Sequence, residues 1–143
     1  MADARFEDGA EQPLRLVAMD AEGLQVIAAL TQDAVLTGAD LSYDRKSRQF
    51  GLLINRFRWE DRDAAEREGR PYERVRSALV FDDVLSVRTM GIERGDKDTV
   101  LSLLSADFTA GEDGTGAVML TLAGDGAVEL RVEALEAVLE DVT

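Results

Sequence analysis

A chain of 143 residues, 45% of them hydrophobic, has the length of one domain and enough apolar mass for one core, which excludes a wholly disordered chain. There is no Cys, no His and only two lysines, Lys46 and Lys97, which excludes disulfides, thiol or imidazole catalysis and Cys/His zinc sites. Twenty-nine acidic residues against 16 basic ones give a net charge of −13, a field that repels phosphate backbones and anionic head groups, so neither nucleic acid nor a membrane is expected as the main partner.

In chain order, residues 1–13 are polar and aperiodic and predict a flexible arm, leaving 14–143 as a single globular domain. Leu14 to Met19 predicts a short strand. Asp20 then caps a helix over 20–33, with Glu22 in its first turn, Met19 and Leu24 as a hydrophobic staple, and Leu24, Ile27, Ala28 and Thr31 on its apolar face. From Ala34 the period changes to two, and Val35, Thr37, Ala39, Leu41 and Tyr43 share one face of a strand. The turn Asp44 to Ser47 leads into a second strand carrying Phe50, Leu52 and Ile54. Beyond Ile54 the next large apolar residues are Phe57 and Trp59, a slip of one position, which predicts a β-bulge near Asn55 and turns Arg56 and Arg58 outward.

Glu60 to Glu73 predicts an exposed charged loop with room for a helical turn. Strands follow at Arg74 to Phe81, with Val75, Ser77, Leu79 and Phe81 on one face, at Val84 to Ile92, and at Val100 to Phe108, with Leu104 and Ala106 sharing a face. Glu93 to Asp98 is a polar loop. Gly124-Asp125-Gly126 joins two further strands in the clearest hairpin signal of the chain. Leu135, Val138, Leu139 and Val142 then recur at helical spacing, predicting an amphipathic helix over 133–142.

The predicted class is α+β, mainly antiparallel β as a bent sheet pair or partly open barrel. The order of strands and final helix is that of pleckstrin-homology-like domains, with an N-terminal strand-helix addition and a C-terminal capping helix.

Charge is unevenly spread: Arg45 to Arg76 holds ten basic residues against six acidic ones, a local excess of four positive charges in an acidic chain. If the strands flanking the 60–73 loop are neighbours, Arg56, Arg58, Arg74 and Arg76 share one outer face, where guanidinium groups can clamp carboxylate or phosphate. The bland alternative is a solvated ion-pair network with the loop acids. Trp59 is a candidate stacking platform, or simply a core or rim residue. No catalytic residue, metal or cofactor is expected: Asp82-Asp83 and Asp96/Asp98 lack calcium-loop spacing, Gly111 to Gly116 lacks a P-loop ending, and no Ser lies in Gly-x-Ser-x-Gly.

The stretches LRLVAMDAEGLQVIAALTQDAVL, FGLLINRFRWE, ALVFDDVLSVRTMGIERGD and VMLTLAGDGAVELRVEALEAVLED resemble a bacterial family catalogued as domain of unknown function 2948. The most specific parts are Asn55 to Glu60 and Val84 to Arg88. The resemblance implies a small cytoplasmic protein and brings no catalytic residue to transfer. The start of the chain carries no basic-then-apolar leader pattern, and runs such as Val26 to Leu30 fall far short of the roughly 20 residues of a membrane span. The functional expectation is a non-enzymatic binding or accessory module whose arginine face takes an acidic partner protein or a small anionic ligand. The alternative is a carboxylate-dependent enzyme, with or without magnesium, acting on an anionic metabolite; a homodimer through the same face is a third use of it.

Overall fold

The period-two alternation that starts at Ala34 becomes, in a computed structural model describing residues 13–92 and 97–142, a sheet of ten strands whose ladders are all antiparallel. The strands are β1 (Arg15–Ala18), β2 (Val35–Thr37), β3 (Leu41–Asp44), β4 (Gln49–Phe57), β5 (Arg74–Phe81), β6 (Val84–Met90), β7 (Val100–Ala110), β8 (Gly116–Leu122), β9 (Gly126–Val132) and β10 (Ala137–Asp141). Their spatial order is β1-β10-β5-β4-β2-β7-β8-β9-β6, an open path, with β3 paired to β4 beside it. Two helices are described, α1 (Ala21–Leu30) and α2 (Arg62–Glu68). No described helix is long and apolar enough to cross a membrane. The expected arm up to residue 12 and the 93–96 part of the polar loop, with the acid Asp96, lie outside the described residues.

Helix α1 forms as its cap signal predicts: the Asp20 carboxylate accepts from the Gly23 amide at 2.7 Å, and Leu24 and Ile27 are buried. It ends at Leu30, shorter than expected, and Met19 stays 69% exposed instead of folding over Leu24. The turn expected at Asp44 to Ser47 falls one position later, at 45–48, and the β3–β4 and β8–β9 hairpins form as expected.

Three expectations are corrected. First, the strand predicted from Ala34 to Tyr43 is broken by a 3₁₀ turn at Gly38–Asp40. Before it Leu36 faces the core and Val35 does not, whereas after it Leu41 and Tyr43 pack inward. Second, β4 carries no bulge: its ladder to β5 is continuous from Phe50 to Phe57, and burial alternates without interruption through Phe50, Leu52, Ile54 and Arg56. A register shift occurs instead in β7 between Leu103 and Ser105, so that Leu103 and Ala106 are buried while Leu104 is 44% exposed.

Third, the C-terminal segment is a strand and not a helix. Residues 137–141 pair with β1 on one side and β5 on the other, burying Ala137, Leu139 and Asp141 in alternation. Leu135, Val138, Leu139 and Val142 fit a helical period. The backbone groups of β1 and β5, however, need a strand between them, and the ladders on both sides outweigh a short local preference. The capping helix on which the pleckstrin-homology-like analogy rested is therefore absent, and what stands is a mainly antiparallel sheet with two short helices.

The two periods give different mutational profiles. Leu139 has no exposed surface, whereas Val138 faces outward in the same strand. Leu139→Ala should cost about 2 to 5 kcal/mol in urea unfolding and Val138→Ala about 1 kcal/mol or less. Equal costs would favour the helical period.

Candidate functional site

Arg56 follows Phe50, Leu52 and Ile54 on the inward row of β4, and its side chain is completely buried. A guanidinium removed from water needs all five of its N–H groups satisfied. Nε donates to Ser77 Oγ and to Asp141 Oδ1, both at 3.1 Å. Nη1 donates to the Phe57 carbonyl at 3.0 Å and to Glu60 Oε1 at 2.9 Å. Nη2 donates to Glu60 Oε2 at 2.8 Å and to both oxygens of Asp141 at 3.0 and 3.1 Å.

Each partner is delivered by a different element. A 3₁₀ turn at Trp59–Asp61 brings Glu60 back over Arg56 as a bidentate lid. Ser77 is the one polar residue on the inward row of β5 from Ser77 to Phe81, and its hydroxyl donates to Asp141 Oδ1 at 2.6 Å. Asp141 lies opposite Ser77 in the β10–β5 register, and its Oδ2 accepts the Leu14 amide at 2.8 Å. Burial is the largest influence on both carboxyls and would push them up. The Ser77 hydroxyl, the Leu14 amide and Arg56 overcome it at Asp141, and Arg56 together with the backbone amide of Glu60 overcomes it at Glu60, so both are held below the ordinary carboxylate range. Burial likewise opposes the charge on Arg56, yet Glu60 and Asp141 raise its pKa.

The four arginines therefore do not share a face. Arg56 points inward and is saturated. Arg58 follows β4, its backbone amide donating to the Glu73 carbonyl at 2.9 Å and its Nη1 to the Glu73 carboxylate at 3.1 Å. Only Arg74 and Arg76 stand together on the outer face of β5, opposite Phe57 and Asn55 of β4. Arg74 lies 4.0 Å from the centroid of the Phe57 ring, and its Nη1 reaches the Asn55 carbonyl at 3.4 Å. Arg76 is exposed, and its guanidinium has no hydrogen-bond or ion-pair partner among the described residues.

Trp59 does not continue the apolar row of β4. It packs at 5.2 Å from Phe57 and 5.5 Å from Tyr72, and its indole N–H donates to the Gln32 carbonyl at 3.1 Å, tying the end of the α1 region to the 3₁₀ turn. Helix α2 then turns the chain back toward β5. It ends at Gly69, whose φ of 65° is the left-handed conformation that a side chain would strain. The Arg74 corner is thus an aromatic trio of Phe57, Trp59 and Tyr72 with one cation laid on it.

Residues 14–143 match the family model described as Protein of unknown function (DUF2948), a span that contains every partner of Arg56. The chain belongs to that family. No curated protein and no solved structure matches it. In this DUF2948 chain, no group of three or more acidic side chains among the described residues is placed to hold a metal ion. Glu136 does sit beside Asp82, whose hydrogen bond and charge raise its carboxyl pKa, with Asp83 adding to the effect. This pair lies at the far end of β5 from Arg74.

Ser77 stands on the predicted inward row, but its bonds to Arg56 and Asp141 were not foreseen. The available signal was two polar residues, Arg56 and Ser77, in phase with apolar rows of strands flanking one loop.

Removing one side of a buried ion pair costs about 3 to 5 kcal/mol, so Arg56→Ala should lose stability of that order in urea unfolding, whereas Arg74→Ala should lose about 0.5 kcal/mol or less. Depressed native pKa values add stability above the ordinary carboxylate range, near pH 4, and that contribution disappears as pH falls through the native values. Asp141→Asn should therefore flatten the acid limb of a stability profile measured from about pH 5 to 2. An unchanged limb would show that Asp141 is not held ionised by this network.

Proposed function

We propose that this protein is a non-catalytic binding module whose outer β4–β5 face receives an anionic group through Arg74 and Arg76. The observation that carries this reading is the contrast between the arginines: Arg56 is consumed inside and Arg58 is bonded to Glu73, while Arg74 and Arg76 face solvent side by side on a chain of net charge −13. Arg74 is held over Phe57, so part of the entropy cost of fixing a long cation is met before a ligand arrives. The acidic body around this small basic face orients an approaching anion toward it.

The geometry lends less to the carboxylate-enzyme alternative. Glu60 and Asp141 are committed to Arg56 and Glu73 is bonded to Arg58, and the Asp82–Glu136 pair stands eight residues along the chain from Arg74, roughly 25 Å away at strand rise.

Titration with citrate and with pyrophosphate at low salt, followed by NMR of the arginine Nε–H groups, tests the reading. Resonances of Arg74 and Arg76 should move and Arg56 should not. Arg74→Ala with Arg76→Ala should weaken binding by roughly a hundredfold, since bonds to charged groups each contribute about 1.5 to 3 kcal/mol. Equal binding by wild type and double variant would reduce the two arginines to solvated charge.

A further inference from the structure

Past Arg76 the outer face does not end. It opens into a groove of about 350 Å³ that crosses β4 and β2 to reach β7, with Asn55, Leu53, Val35 and Val100 along it and Asp40 at its side. Leu53 is 44% exposed and Val100 is 67% exposed, so the apolar part of the groove is open to water. The Asn55 side-chain amide has no hydrogen-bond partner among the described residues. The Asp40 carboxylate accepts from the Thr37 amide at 2.8 Å and from its hydroxyl at 3.1 Å, which fixes a negative charge near β2.

We infer that the ligand of this face is an extended peptide segment of a partner protein, with carboxylates at one end and an aliphatic side chain a few residues away. The inference rests on the anion-binding reading of Arg74 and Arg76 and extends it. The chemistry of the groove changes in the order a peptide supplies. Two guanidinium groups take carboxylates, a free carboxamide matches a main-chain amide, and Leu53, Val35 and Val100 cover an aliphatic group. Three inter-strand steps separate β5 from β7, roughly 14 Å, which an extended chain covers in about four residues. Asp40 sets the polarity: a second acidic group at that end is repelled, and the carboxylates stay at the Arg76 end. A small anion would occupy only the arginine end and leave the apolar stretch in water.

The test uses the full chain and a fluorescent peptide, acetyl-Asp-Asp-Gly-Ser-Leu-amide, by anisotropy at low and moderate salt, with citrate as the small-anion comparison. The peptide should bind at least tenfold more tightly than the same peptide with Leu replaced by Gly, and at least tenfold more tightly than one with both Asp replaced by Asn. Leu53→Ser is an exposed change, and its folding is checked by thermal unfolding. It should weaken the Leu peptide and leave the Gly peptide unaffected, while Arg76→Ala should weaken both. If citrate binds through Arg74 and Arg76 but the Leu and Gly peptides bind equally, the peptide inference is overturned and the anion-binding face stands. If neither citrate nor any peptide binds, both readings fall.

Discussion

A guanidinium buried without solvent imposes a demand that few arrangements of chain can meet, and Arg56 imposes it on this fold. Its five N–H groups need acceptors in fixed directions, and the acceptors come from β4 itself, from the 3₁₀ turn at Glu60, from β5 at Ser77 and from β10 at Asp141. Asp141 in turn holds the Leu14 amide at the entry to β1. One side chain thereby links the first and last strands of the described chain to the strand pair at its centre. Leaving any one of these partners out would strand a charge in a medium where its solvation cannot be replaced.

The same constraint determines what the outer face has left. Because an arginine in a strand must point to one side or the other, placing Arg56 inside puts Phe57 outside beside Arg74, where the aromatic ring supports the cation. Glu60 is drawn inward to Arg56 and Glu73 is bonded to Arg58, so two acids of the intervening segment are engaged away from Arg76. The internal network and the exposed basic corner are thus two consequences of one register between β4 and β5.

Much of the fold was legible where local chemistry decides it. The Asp20 cap, the 45–48 turn, the Gly124 hairpin and the inward row of β5 all depend on neighbours in sequence. What was not legible depends on distant chain. The 137–141 segment satisfies both a helical and a strand pattern, and only the gap between β1 and β5 selects the second. At Arg56 the large apolar residues Phe57 and Trp59, read as a continuation of the core row, outweighed an unbroken alternation from Phe50 and required a bulge that β4 does not have. The slip in β7, at Leu104, was hidden because Leu103 and Leu104 are equally apolar. The candidate site was half legible: Arg74 and Arg76 were placed on one outer face, but Tyr72 and Phe57, which shape that corner, were not picked out.

Solvent exchange of the Arg56 Nε–H group, measured by NMR against those of Arg74 and Arg76 in one sample, tests the central claim most directly. Enclosed between Ser77 and Asp141, that proton should exchange far more slowly than the other two and persist at pH values where theirs are lost to water. Exchange of all three at the same rate would contradict the account, since it would place Arg56 in solvent and remove the interaction that joins β1, β4, β5 and β10.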